Sequence, residues 1–406
     1  MAAVSATSIM PRLVRSARAA DREYILIGRP DPASGALAAF SEPTPWVDNR
    51  AIDSINKKGG IYIKEYGKKL PVKVKFVDTE SDPTKAAELT ARLILKDRVD
   101  LMLPMHTPVV VNPVSAICER YEIPCIGMDD PIEAWLTGGP YKWSFVVYST
   151  VEAIIDSYIA VWDEYAHKTN KVVGGLWPND PDGVMFSKLF HNKLPPKGYR
   201  IVDPGRFPFG INDWTSQINL FKTKNVDIVT GVLIGPDWAT FWRQCHQQGF
   251  IPKIASIAKA FIFPSEPISL GGNLAEGINI GCAWSPFHRY TSSLTGESAK
   301  ELCDDWMNEF NKYWAQDMGF KYAGYEIAID VLKRAQSLDK NRLREAISQT
   351  NLNTIIGPVK FNDQNYCALP CVSAQWVKGE RFPWELEIIN NMGIAEIPDR
   401  PVENIQ

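Results

Sequence analysis

The sequence predicts an α/β protein of two doubly wound parallel-sheet lobes. Short apolar runs bounded by turn residues alternate with amphipathic stretches along most of the chain, which is the order of βαβ units. The alternation lapses near residue 148 and restarts near 171, so 24–148 and 171–283 read as two similar units. A length of 406 residues agrees, because one hydrophobic core stops growing well before that size.

In the first unit a strand is predicted over 24–28. A helix over 46–58 follows, ended by Gly59-Gly60, since glycine supplies the left-handed residue past a helix C-terminus. Val and Lys alternate in a strand over 72–77. The next helix, 83–96, has Asp82 as N-cap and Pro83 at its first position. A strand over 99–103, a helix over 112–121 and a strand over 124–128 complete the unit. The second unit reads as strands over 171–177, 199–203, 226–234, 253–257 and 277–283, with helices over 183–194, 215–224 and 237–249. Helical segments near 298–315, 322–337 and 340–349 and short strands over 359–361 and 372–375 remain to be shared between the lobes.

A net charge of −3 with scattered Lys and Arg gives no surface for nucleic acid. Ala17-Arg18-Ala19 fits the small-x-small pattern read by signal peptidase, so residues 1–21 are expected to be a residual signal or tail. They lack a basic beginning, so Met1 to Ala19 reads as a clipped signal, with an ordinary disordered tail as the alternative. No run of 18 apolar residues follows that could span a membrane. For an exported protein, Cys118–Cys125 and Cys367–Cys371 are the local bridges expected, leaving Cys245, Cys282 and Cys303 as buried thiols. The five His residues show no ligand spacing, and neither a metal nor a cofactor is expected.

Ligands of doubly wound sheets bind beyond the carboxyl ends of the strands, here the loops 29–40, 104–108, 129–135, 177–182, 235–238 and 258–263. These loops hold no phosphate-binding glycine motif and no nucleophile elbow. Asp129 is a candidate to face the cleft, whereas Asp130, before Pro131 and a helical Ile-Glu-Ala-Trp-Leu, is explained by N-capping alone. Asp180 or Asp182 likewise begins a helix, and Thr107 fits a turn hydroxyl. Trp177 at a strand end reads as core or as ligand contact. Trp284 lies where the chain crosses between lobes. Lys259 stands alone in an apolar run, either solvated at the surface or buried with an anion partner.

The stretches Tyr24-Ile-Leu-Ile-Gly28, Pro32-Ala-Ser34-Gly35, Ala51-Ile-Asp-Ser-Ile-Asn56-Lys-Lys-Gly59-Gly60-Ile61 and Asp78-Thr-Glu-Ser-Asp82-Pro83 resemble the start of the periplasmic leucine/isoleucine/valine-type binding proteins. Asn179-Asp180-Pro181, Asn273-Leu-Ala275-Glu276-Gly277 and Gly357-Pro358-Val359-Lys360-Phe361 extend the resemblance over 22–395. These are solute receptors of ABC importers for branched-chain amino acids, amides and related compounds. The resemblance implies the type I periplasmic binding protein fold, with a three-crossing hinge near Tyr148, Trp284 and Ile355. Lobe 1 would be 22–148 plus 284–354, lobe 2 would be 149–283 plus 355–395, and 396–406 a C-terminal tail.

It also implies a site. Ser34 and Gly35 match the first-strand loop, His106-Thr107 the loop that holds a ligand carboxylate, and Asp129-Asp130 the fourth-strand loop. Asp182 stands where the family has an aromatic, Lys259 near its ammonium-pairing acid, and Tyr322 at its late-helix tyrosine. A base near the ammonium position argues against an ordinary α-amino acid. It leaves an organic anion or amide, aromatic acids included, with Lys259 on its charged group and Trp177, Trp284 or Tyr322 against its body. Asp129 and Asp182 argue the other way, as partners for an ammonium. Lobe closure on the solute, docking on membrane permease subunits, a periplasmic location and a monomeric chain are expected. An enzyme using the same cleft and the sensing domain of a signalling receptor are the rival readings.

Overall fold

The computed structural model describes residues 22–399. The signal reading of 1–21 and the end of the tail, 400–406, lie outside the described residues.

The chain opens with β1 (Ile25–Asp31), α1 (Thr44–Asn56), the hairpin β2 (Ile61–Ile63) and β3 (Lys68–Leu70), and β4 (Val72–Asp78). Then come α2 (Pro83–Arg92), β5 (Leu101–Met102), α3 (Thr107–Tyr121), β6 (Cys125–Met128), α4 (Ile132–Leu136) and β7 (Ser144–Ser149). The middle holds α5 (Val151–Glu164), β8 (Val172–Pro178), α6 (Pro181–Lys193), β9 (Arg200–Val202), β10 (Arg206–Phe207) and α7 (Thr215–Thr223). It continues with β11 (Ile228–Val232), α8 (Gly235–Gln247), β12 (Ile254–Ala258), α9 (Ser265–Leu270) and β13 (Ile278–Cys282). Three helices follow, α10 (Ala299–Phe310), α11 (Asp317–Ala335) and α12 (Lys340–Ser348). The last strands are β14 (Asn351–Thr354), β15 (Gly357–Lys360), β16 (Tyr366–Leu369), β17 (Val372–Lys378) and β18 (Trp384–Asn390).

The helix starts follow their cap residues. Asp82 accepts from the Lys85 amide at 2.8 Å, with Pro83 at the first helical position, as its sequence predicts. Asp180 does the same for α6, accepting from the Gly183 amide at 2.8 Å before Pro181.

Two sheets result. One is wholly parallel, in the order β16-β7-β6-β5-β1-β4; the other runs β10-β8-β11-β12-β13-β17-β18, with β9 beside β8 and its last two strands antiparallel. The chain leaves the first sheet after β7 and returns to that side after β13. The third passage departs from expectation. β16 pairs in parallel with β7, so the chain is still in the first sheet at Leu369 and reaches the second at Val372, not near Ile355. The reason is local: the Ile355 amide donates to Glu326 of α11 at 2.8 Å, which ties the β14–β15 hairpin to the first lobe's buried helix.

All seven cysteines are free thiols, so neither expected bridge is present. Cys118 and Cys125 do adjoin in one core cluster. Cys367 ends against the Pro358 carbonyl in the first sheet, while Cys371 is turned to the start of the second. Among the described residues, no helix is long and apolar enough to cross a membrane.

Candidate functional site

The parallel strands of both sheets aim their carboxyl ends at one narrow cleft, with about 50 Å3 of free space between the lobes. Its first-lobe side is built by the β5–α3 turn and the end of β6, which contribute Thr107 and Asp129, with Tyr148 from β7. Asp182 from the first turn of α6 and Lys259 after β12 face them from the second lobe. Phe40, Ile154, Tyr158, Phe186 and Ile257 make apolar walls, and Cys371 lies at the third passage. Thr107, Asp129 and Lys259 hold left-handed backbone conformations, with φ of 63°, 59° and 68°. Non-glycine residues keep that strain only where surroundings impose it, which is frequent at ligand sites.

A buried polar network supports the first-lobe side. Arg29 lies 3.1 Å from Asp31 and 3.5 Å from Asp48, and Asp31 accepts from Ser41 at 2.6 Å and Thr44 at 2.8 Å. These bonds fix the segment carrying Phe40. Lys321 of α11 donates to the Phe40 carbonyl at 2.7 Å, lies 3.1 Å from Asp317, and donates to His106 Nε2. An ammonium on Nε2 leaves the ring proton on Nδ1, which donates to Asp129 Oδ2 at 2.7 Å. Burial, with Lys321 and Arg29 nearby, holds His106 well below the usual histidine range, so it is neutral. Burial, with Asp317 and then Asp182 nearby, raises Asp129 well above the usual carboxylate range. Lys321 and the Tyr148 hydroxyl oppose that shift.

On the second-lobe side Lys259 is not a free cation. Its ammonium stands 2.6 Å from Asp182 and 3.2 Å from Asp180. Burial alone would lower its pKa, but the two carboxylates raise it above the usual lysine range. Asp182 is pushed up to about 6 by burial, against the pull of Lys259. Among the described residues, Lys259 is the one cation lining this cleft.

The residues singled out in the sequence divide accordingly. Thr107, Asp129, Asp182 and Lys259 come together in the cleft. His106 is fully buried behind it, a support for Asp129. Asp130 is also fully buried, and N-capping does not account for it: it makes no cap bond, and both its oxygens lack a hydrogen-bond partner. Ser34 is consumed by the neighbouring β4–α2 loop, its hydroxyl donating to Asp78 at 2.7 Å and its carbonyl accepting from Ser81 at 2.6 Å. Gly35 sits at the outer mouth, where a Cβ would meet the Glu80 carbonyl at 2.6 Å and φ is +83°.

Three aromatics expected against a ligand lie elsewhere. Trp177 is core, its ring 5.3 Å from Phe190. Trp284 donates to the Ile355 carbonyl at 2.8 Å and packs on Gly319, between the passages of the chain. Tyr322 turns to Thr295, 3.3 Å away, on the far side of α11. The residue beside it, Lys321, reaches the site's support instead. Phe40 and Tyr158 escape the sequence reading, and Tyr148 enters it only as a crossing point, although a tyrosine closing a strand at a crossing is itself a signal.

Comparison with known proteins follows the same lines. A model of the periplasmic binding protein family matches residues 25–380. Similar solved structures include a leucine binding protein LivK from Thermotoga maritima, 20% identical, with 90% of this chain and 96% of that one covered at a TM-score of 0.72. LivJ of Streptococcus pneumoniae, a branched-chain amino acid transporter substrate binding protein in complex with isoleucine, is 16% identical at 0.75, covering 91% of this chain and 100% of that one. A solute binding protein of an ABC transporter from Rhodopseudomonas palustris, in complex with 3,4-dihydroxy benzoic acid, is 17% identical at 0.70, covering 90% and 96%. With most of its length matched and its sheets meeting at one cleft, this chain belongs to the periplasmic binding protein family.

Proposed function

We propose that this protein is the extracytoplasmic receptor of an ABC importer, a monomer that takes one small organic solute into the cleft and closes its lobes over it. The closed form is what the membrane permease subunits receive. The observation that carries this reading is the cleft itself: polar side chains from both lobes, Thr107 and Asp129 against Asp182 and Lys259, converge within apolar walls. A site shared between two lobes gains its full set of contacts only when they meet, so solute binding favours the closed arrangement. Support comes from the family match and from neighbours of the same fold whose ligands are as different as isoleucine and 3,4-dihydroxy benzoic acid. The fold thus accepts varied cargo, and the residues lining this cleft choose it.

The test is to denature the purified protein, identify any released compound by mass spectrometry, and return it to the stripped, refolded chain in a calorimeter. One unchanged solute per chain is the expected result. Conversion of the compound to a product would replace the receptor with an enzyme, and no saturable binding of any released compound would overturn the receptor reading.

A further inference from the structure

Resting on the receptor reading above, we propose that the solute carries a protonated nitrogen on a compact apolar body, and that this nitrogen sits between Asp129 and Asp182, one carboxylate from each lobe.

The charges around the cleft lead there. Lys259 is neutralised by Asp180 and Asp182, so it offers no surplus positive charge to an anion. The start of α3 offers little either. Its second residue, Pro108, has no amide hydrogen, and the Thr107 amide already donates to the Asp129 carbonyl at 2.9 Å. A solute carboxylate placed at that helix end would meet the Asp129 side chain. The surplus in the cleft is negative.

The surplus is also aimed at an occupant. Thr107 is 4% exposed and lines the cleft, yet its hydroxyl has no partner. Asp182 is 2% exposed, and its Oδ1 is likewise unpartnered while Oδ2 takes Lys259. A buried acceptor left unpaired is costly, and an ammonium brings two or three donors for such atoms. The walls of Phe40, Ile154, Phe186, Ile257 and Ile262 suit a hydrocarbon or aromatic body rather than a polar one.

This arrangement makes the solute's charge the trigger of closure. Two carboxylates on opposed lobes repel each other as the lobes approach, and a cation between them turns that repulsion into two attractions. An uncharged molecule of the same shape fills the cleft without removing the repulsion.

The test uses the full chain, stripped of solute, with isoamylamine, benzylamine and phenethylamine as probes against isoamyl alcohol, benzyl alcohol, isovalerate, benzoate and leucine. At pH 7.5 at least one amine is expected to bind saturably, with its matched alcohol and carboxylate at least about 100-fold weaker. Asp129→Asn and Asp182→Asn should each weaken that amine by about 100-fold, with folding checked by circular dichroism. Should either variant fail to fold, the wild-type pH profile decides. Asp129 faces His106, Lys321, Asp317, Tyr148 and Asp182, and Asp182 faces Lys259, Asp180, Asp129 and Asp130. Both acids bind protons more readily than ordinary carboxylates, so amine affinity should fall as pH drops from 7.5 to 5. A carboxylate, an alcohol or leucine binding more tightly than the matched amine would overturn the cation and leave the receptor standing. Amine affinity independent of pH over that range, or no amine bound at millimolar concentration, would also overturn it.

Discussion

The ammonium of Lys259 stands 2.6 Å from the carboxylate of Asp182, inside a cleft where that lysine is 5% exposed and that aspartate 2%. With Asp180 at 3.2 Å the lysine answers two acids at once. Buried ion pairs contribute little net stability when intact, but breaking one strands the remaining charge. Lys259→Met should therefore destabilise the chain by about 3–5 kcal/mol in urea denaturation at pH 7.5. The sign with pH follows from Asp182. A carboxyl whose folded pKa is raised destabilises the fold as pH climbs through it, so the deficit should shrink on going from pH 7.5 to 5. A variant as stable as the parent at pH 7.5 would mean that Lys259 does not hold the two acids.

His106 is expected to stay neutral. Its Nε2 takes a proton from Lys321 and its Nδ1 donates to Asp129 at 2.7 Å, which fixes the tautomer. With histidine labelled, long-range proton–nitrogen NMR should show an Nδ1–H pattern for His106, assigned by its loss in His106→Gln and unmoved between pH 7.5 and 5. Titration near the usual histidine pKa would contradict the network behind Asp129.

Gly319 is a packing requirement between the passages of the chain. A Cβ there would meet the Trp284 ring at 2.3 Å, and Trp284 is held in place by its bond to the Ile355 carbonyl. Gly319→Ala should cost about 1–3 kcal/mol, read as a lowered unfolding temperature and altered tryptophan fluorescence. An unchanged unfolding temperature would show that Trp284 has room to move aside.

Alternation of apolar runs and helices was enough to read the two lobes, because parallel strands buried on both faces leave that pattern in any sequence. Elements without such a signature escaped. Helix α11 begins at Asp317 rather than near 322, because its first turns are buried on every side and show no polar stripe. That shift leaves Lys321 outside the expected helix, while Tyr322 is implied by the resemblance alone. Strand β16 was missed because its four residues follow a hairpin and are set by pairing with β7, a long-range contact. Thr107, Asp129, Asp182 and Lys259 were legible because loops after parallel strands face the cleft by construction. A buried Lys259 with an anion partner was one of its two readings, but which acids pair with it was not legible, since they lie 77 and 79 residues away in sequence.

The most direct measurement is a crystal structure of the chain with its released solute bound. A nitrogen within hydrogen-bond distance, about 3 Å, of both Asp129 and Asp182, with the lobes closed around it, is the expected result. A carboxylate in that place, or a solute seated outside the cleft, would contradict the cation site.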